Sequence, residues 1–575
     1  MPPLEAHNDL DEDQIEILGR WIEQGAAYAP HWAYVPPAPT PVPEVADDSW
    51  PRADIDRYIL ARLEAEDLAP APDADRATLL RRLTLDLTGL PPTVEDLDAF
   101  LAIDTPDAID EVVDRLLASP AFAERMAMLW LDLVRYADTV GYHGDQEHRA
   151  SLYRDWVIWA FDEDMPFDEF TIAQIAGDLV ETPTDETRIA SCYNRLIQTS
   201  HEGGVQMKEY AAIYAADRVS NLSEVWMGAT MGCAQCHDHK YDPYTAHDFY
   251  AMAAFFADID DLEHLKNGGN APNSTPTNRF PEVDLLSPLD RERRAVLQAL
   301  LDEASEDEAP AIRARLDAIT PRRVMVTRAA EPRVTRLLPR GNWLDESGPV
   351  VNAAIPAFLG DLSLDRRASR LDLARWLVDA EHGAGLLTAR VMVNRLWAML
   401  HGEGLCPSLD DFGGQGQPPT HLELLDALAI DFASDWDVKR LVRTLVTTRT
   451  YGLSSVASPE MRRRDPLNHL FARQTTRRVQ AETVRDIALH LGGLLVDHLG
   501  GESVKPYQPR GYYQHLNFPP REYEPHLDER QWRRGVYVHW QRQFVHPTFK
   551  AFDAPTRESC IAKRATSNTP LAALA

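Results

Sequence analysis

Apolar positions recur at helical spacing over most of the chain, and this pattern predicts a mainly α, multidomain helical protein with minor β elements. Between residues 52 and 118 the runs are Ile55, Ile59, Leu60 and Leu63; Leu79, Leu80, Leu83 and Leu87; Leu97, Phe100 and Leu101; and Val112, Val113, Leu116 and Leu117. Gly89-Leu90-Pro91-Pro92 interrupts two of them, and Thr93 to Asp96 reads as a capping start. Val219 to Met231 reads as an apolar helix carrying Leu222, Val225, Trp226 and Met227. Leu289 to Ile319 reads as charged helices broken at Ala309-Pro310, followed by helical stretches from Leu371 to His401 and from Leu422 to Thr448. Period-two alternation of Val324, Val326, Val334 and Leu337 predicts a small strand pair within Arg323 to Leu338, and Gly535 to Trp540 reads as a strand. Val35 to Pro43 is a proline-rich extended linker, and Asn267 to Ser274 is a loop.

Length and charge narrow the class. A chain of 575 residues exceeds one core and divides into several domains. The formal charge of −32 argues against nucleic acid and against an anionic membrane surface, both of which favour basic patches. No run of 18 apolar residues is present, so no membrane span is expected. Of 58 basic residues seven are lysine and 51 arginine, the side chain suited to fixed pairing with carboxylates.

Candidate chemistry concentrates at Cys233-Ala234-Gln235-Cys236-His237, the only closely spaced cysteine pair, followed at once by histidine. C-x-x-C-H is the attachment pattern of covalent haem c. Two thiols reach the vinyl groups on one porphyrin edge, and the adjacent imidazole lies over the iron, so Cys233 and Cys236 would be thioethers and His237 the proximal iron ligand. The same residues with His239 could instead be part of a zinc site, although no second Cys-x-x-Cys or His-x-x-x-His accompanies them. Cys192, Cys406 and Cys560 are far apart and form no disulfide framework. Distal ligand candidates are His143, His201, His239 and Met231. Gly141 and Gly144 favour His143, because they let backbone approach a flat cofactor, and an open sixth position is the other choice. Covalent haem is attached outside the cytoplasm, yet Met1 to Gln14 is acidic and is no signal peptide.

Three blocks of sequence resemble known families. Met1-Pro2-Pro3 with Trp21-Ile22-Glu23-Gln24-Gly25-Ala26 resembles the last third of a small cytochrome c domain. That resemblance implies that residues 1–34 are its C-terminal remnant, that Met1 is an internal methionine, and that a further haem motif and an export signal precede it. Residues 50–258 resemble the planctomycete cytochrome-associated family of unknown function. The resemblance is carried by Arg135-Tyr136-Ala137-Asp138, Gly141-Tyr142-His143-Gly144-Asp145-Gln146, Gln174-Ile175-Ala176-Gly177-Asp178-Leu179, His201-Glu202-Gly203-Gly204, Asp217-Arg218 and the haem pentad. A second family, usually fused to the first, is resembled over 341–575, through Arg390-Val391-Met392-Val393-Asn394-Arg395-Leu396-Trp397, Asp410-Asp411-Phe412-Gly413-Gly414 and Asp465-Pro466-Leu467-Asn468. Between them lie a linker at 35–49 and a variable region at 259–340. The chain stops where a helix is starting at Thr569 to Ala575, so truncation is expected there too.

Neither family implies a reaction. Asp138, Asp145, His201, Asp217 and Arg218 could build a polar pocket for a sugar or a calcium site, or serve as caps and buried ion pairs. Arg390, Asn394 and Arg395 could line a cleft, or tie helix to loop. The expectation is an exported, periplasmic or otherwise extracytoplasmic c-type haem protein that passes electrons to or from a redox partner protein. It would serve an oxidation whose substrate, by association, is a carbohydrate. The alternatives are a saccharide-acting enzyme with Cys/His zinc ligands and a scaffold with structural haem. No catalytic residue is assigned.

Overall fold

Each helical run expected between residues 52 and 118 forms, as Asp54–Ala65, Arg76–Thr88, Val94–Ala102 and Ala108–Leu117. The breaks have local causes. Gly89 ends the second helix at φ +73°, the left-handed conformation that costs glycine no Cβ clash. Thr93 and Asp96 open the third with a reciprocal capping box. The computed structural model describes residues 10–26, 30–103, 105, 107–200, 204–265, 275–516 and 520–574. His201, Met1 and the loop at 267–274 lie outside the described residues. Residues 1–36 and 37–575 form two units. In the first, the helix Glu12–Glu23 starts at an Asp11–Gln14 capping box and leaves Ile15, Leu18, Trp21 and Ile22 exposed.

The second unit is helical, and the one sheet named among its described residues has two strands. Glu282–Leu285 pairs antiparallel with Arg322–Met325, placing Glu282 opposite Met325. The strand pair expected within Arg323 to Leu338 is thus corrected: one strand lies there, and its partner precedes the charged hairpin of Pro288–Glu303 and Ala309–Ala318. Val334 is exposed, so its alternation with Leu337 had no buried face to pair. Gly535 to Trp540 is corrected as well. Gly535–Tyr537 is a 3-10 turn, because the Gly535 N–H is drawn to Asp486 Oδ1 at 2.7 Å and the Tyr537 hydroxyl to Glu124 Oε1 at 2.7 Å. Only a single bridge, Val504 to Val538, keeps strand character there.

Two expected long helices are each divided. Arg370–Val378 and Gly385–His401 are separated by a turn, and Leu422–Phe432 and Val438–Val446 by another in which Trp436 takes φ +57°. The stretch read as an apolar helix from Val219 to Met231 is the end of a longer helix, Met207–Leu222, which widens into a π-helical turn at Ser223–Met227 and stops at Gly228, φ +55°. Trp226 pins that turn to the core. Its indole donates to Thr171 Oγ1 at 2.9 Å and packs edge-on against Trp130 with centroids 5.7 Å apart.

Buried carboxylates, most of them paired with guanidinium groups, join the N-terminal helices to the C-terminal half. Asp56 accepts from Thr450 N at 2.9 Å, Thr450 Oγ1 at 2.7 Å and Arg449 N at 3.0 Å. Arg534 bridges Glu124 at 2.6 Å and Asp486 at 3.2 Å. Arg564 bridges Asp132 at 2.5 Å and Glu482 at 2.7 Å, and Arg557 reaches Asp132 at 2.7 Å. Burial alone would raise the Glu482 carboxyl, but Arg564, with Arg557 behind it, holds it well below the usual carboxylate range. A carboxyl held low contributes stability that is complete above about pH 4.5 and is lost as the pH falls through its folded-state value. Urea midpoints followed from pH 7 to pH 3 should therefore fall for the wild type. Glu482→Gln should start roughly 3 kcal/mol less stable at pH 7 and show a flatter acid limb.

Candidate functional site

The C-x-x-C-H motif hangs from the π-turn pinned by Trp226. After Gly228 the chain enters a 3-10 turn, Met231–Gln235, with Met231 and Ala234 turned into the core and Cys233 and Cys236 exposed. The other three cysteines are buried. Burial pushes the thiols of Cys192 and Cys406 up to about 12 and raises that of Cys560 further, which removes them from thiolate chemistry near neutral pH. Only the motif offers accessible thiols.

The two histidines beside the cysteines differ in what they can bind. His237 is exposed, and its Nδ1 lies 2.7 Å from the Asp238 carbonyl. A carbonyl only accepts, so the neutral ring held there has its N–H at Nδ1 and its lone pair at Nε2, the tautomer a metal-ligating imidazole requires. His239 is buried with both ring nitrogens engaged. Its Nδ1 accepts from Asp242 N at 2.9 Å and Tyr241 N at 3.3 Å, and Nε2 lies 3.3 Å from Thr230 Oγ1. Those two backbone donors keep Nδ1 unprotonated, although Asp242 Oδ2 is 3.3 Å away and would pair with a charged ring. His239 therefore folds the loop behind the motif.

Pieces distant in sequence bracket this loop. Tyr250 donates its hydroxyl to Gln235 O at 3.0 Å, with Leu338 O at 3.4 Å, and burial, then Cys236, pushes that hydroxyl up to about 12. Gly341 sits against Cys236 at φ +70°, and a Cβ there would come within 2.8 Å of the sulfur. Asp242 Oδ1 accepts from Gly414 N at 2.7 Å. Arg395 donates to the carbonyls of Glu224 at 2.7 Å, Val225, and Leu409 at 3.0 Å, which ties the π-turn to the Gly385–His401 helix.

Residues 54–261 match the family model PSCyt2, a protein of unknown function (DUF1549), and residues 369–575 match PSD1, a protein of unknown function (DUF1553). The chain carries two domains of unknown function in tandem. No curated protein and no solved structure matches the chain. The motif belongs to the PSCyt2 domain, whereas Arg395 and Gly414 reach it from the PSD1 domain.

The remaining polar candidates of the PSCyt2 domain have protein partners. Asp138 accepts from Ser503 Oγ at 2.6 Å, Tyr136 Oη at 3.0 Å and Trp540 N at 2.7 Å. Asp145 accepts from Gly141 N at 2.8 Å, Gln541 Nε2 at 2.6 Å and Gln543 N at 2.9 Å. Asp217 pairs with Arg135 at 2.6 Å, and Arg218 pairs with Asp261 while donating to Asn194 O at 3.0 Å. In the PSD1 domain Arg390 pairs with Asp426 at 2.7 Å, and Asn394 clamps Cys406 through reciprocal 2.8 Å bonds to its backbone. Among the described residues no group of three His, Cys, Asp or Glu side chains is placed to hold a metal. The structure does not gather His143 to the motif. Its neighbour Tyr142 packs against Tyr210, whereas Gly232 packs against Ser220, ten residues and ~15 Å further along the same helix.

Sequence reasoning passed over Glu224. It stands in the π-turn, half-buried, and burial, then Asp410, raises its carboxyl to about 7. The available signal was a lone carboxylate inside the apolar run Leu222 to Met227. Single π-turns within helices occur frequently at functional sites. A carboxyl raised on folding contributes stability that is complete below about pH 4.5 and is lost as the pH rises through 7. Glu224→Gln should therefore raise the denaturation midpoint at pH 8, with the difference vanishing at pH 4.5. Equal midpoints at both pH values would mean that Glu224 ionises normally.

Proposed function

We propose that the chain is an exported c-type haem protein that passes electrons one at a time between an extracytoplasmic oxidation and a redox partner protein. One observation carries the reading. The only accessible thiols, Cys233 and Cys236, share a single turn and are followed by an imidazole whose Nε2 keeps its lone pair. Haem bound there would supply a one-electron iron couple. Each cysteine would add its S–H across a vinyl group to form a thioether, and His237 would ligate through Nε2, oriented by the Asp238 carbonyl. Tyr250, buried between Gln235 and Leu338, would keep the attachment turn rigid.

Zinc in place of haem is less well supported, because a structural zinc site takes four protein donors and a catalytic one three. Haem asks only one imidazole of the motif, with the thiols bonded to carbon.

The test uses the chain fused to an export signal and produced in a host that matures c-type cytochromes. After denaturation, a pyridine haemochrome spectrum of c type with one iron per chain is expected. Cys233→Ala with Cys236→Ala should lose the covalent haem while the helical circular dichroism stays within ~10%, since both side chains are exposed and surface substitutions shift stability little. An iron-free wild-type protein, or haem that remains covalent in the double variant, defeats the assignment.

A further inference from the structure

A cavity of about 450 Å³ lies between the two domains, and no residue of the C-x-x-C-H turn is among those lining it. The helices Pro120–Leu133 and Gly385–His401 line it with Leu129, Trp130, Met392, Leu396 and Met399. Segments 475–480 and 561–566 bring Arg477, Arg478, Lys563 and Arg564 to it. Its volume falls within the range of ~300–1,000 Å³ over which pockets enclose small organic ligands.

The charges around it do not balance. Arg477 pairs with Asp86, Lys563 with Glu403 at 2.9 Å, Arg478 with Asp553 at 3.6 Å, and Arg564 with Asp132 and Glu482. Arg395 is engaged by three backbone carbonyls. Arg125 is left over. It lines the cavity, is buried, and donates to Gln480 Oε1 at 2.8 Å and the Asp86 carbonyl at 3.4 Å, with no hydrogen-bonded carboxylate. The Asp86 carboxylate is already shared by Arg477 and the Tyr451 hydroxyl. Thr483 lines the same cavity, is 2% exposed, and its Oγ1 has no hydrogen-bond partner. A buried guanidinium that no carboxylate hydrogen-bonds is costly, as is a buried hydroxyl without a partner. A ligand carboxylate would satisfy both.

We propose that this cavity binds a small amphipathic monocarboxylate, its carboxylate on Arg125 and Thr483 and its apolar body against Trp130, Leu396 and Met399. Arg125 presents one guanidinium that no carboxylate hydrogen-bonds, and a single guanidinium fits one negative charge better than a phosphate dianion. A guanidinium presents its donors as a fork that a carboxylate matches with two parallel bonds. Burial, the largest influence on Arg125, lowers its guanidinium to about 10, which leaves it charged at neutral pH. The site asks nothing of Cys233, Cys236 or His237, so it stands or falls apart from the haem.

The probe is octanoate, with 1-octanol and inorganic phosphate as controls, titrated into the full chain and followed by calorimetry and tryptophan fluorescence. Octanoate should bind saturably at one site per chain, while neither control does. Arg125→Met should weaken octanoate ~10-fold or more, and Thr483→Val by a smaller factor. Octanol binding as well as octanoate, phosphate competing with octanoate, or octanoate failing to saturate on the wild type would each overturn the proposal without need of a variant. So would unchanged octanoate affinity in a folded Arg125→Met protein.

Discussion

The fold depends on guanidinium groups buried between the two domains. Arg534, Arg557, Arg564 and Arg477 each leave water on the PSD1 side and find their carboxylates, Glu124, Asp132 and Asp86, on the PSCyt2 side. An isolated charge in such a place would cost several kcal/mol, and Asp486 and Glu482 on the PSD1 side share the pairing of Arg534 and Arg564 with the carboxylates across the seam. Arg542 extends the principle to uncharged acceptors, donating to the carbonyls of Arg135, Thr139, Leu196 and Arg557. The abundance of arginine over lysine has its explanation here, since a planar fork with five donors can satisfy several fixed acceptors at once and an ammonium cannot.

The same seam controls the C-x-x-C-H turn. Its leading π-turn is held by Trp226 from within the PSCyt2 domain and by Arg395 from the PSD1 domain, and its trailing loop is closed by the Asp242–Gly414 contact. A flexible turn carrying two thiols would hold any attached group loosely. This one is fixed at both ends, so the position of the sulfurs is a property of the whole tandem.

Helix existence was legible wherever one apolar stripe met one core, as at Ile55 to Leu63 or Leu79 to Leu87. It failed where burial came from two sides. Gly535 to Trp540 alternates like a strand, but its backbone is claimed by Asp486 and its tyrosine by Glu124, partners roughly 50 and 410 positions away that no local pattern reveals. The cysteine pair and His237 were readable because they stand side by side in sequence, the one place where two cysteines lie close together. Asp138, Asp145, Asp217 and Arg218 were conspicuous by residue type, yet type does not disclose that a serine at 503 or an arginine at 135 already occupies the carboxylate. Glu224 was hidden by the opposite fault, since it looked like an ordinary helical glutamate until the π-turn half-buried it near Asp410.

The glycine at 341 keeps room beside the motif. A Cβ there would stand 2.8 Å from the Cys236 sulfur, closer than such contacts come, so the absence of a side chain leaves that flank of the thiol uncrowded. The Pro339–Gly341 turn thus lies close enough to Cys236 for a single added side chain to crowd its sulfur. Access to the thiol is therefore set in part by a residue far from the motif in sequence, and a change at Gly341 would act on Cys236 without altering the motif itself.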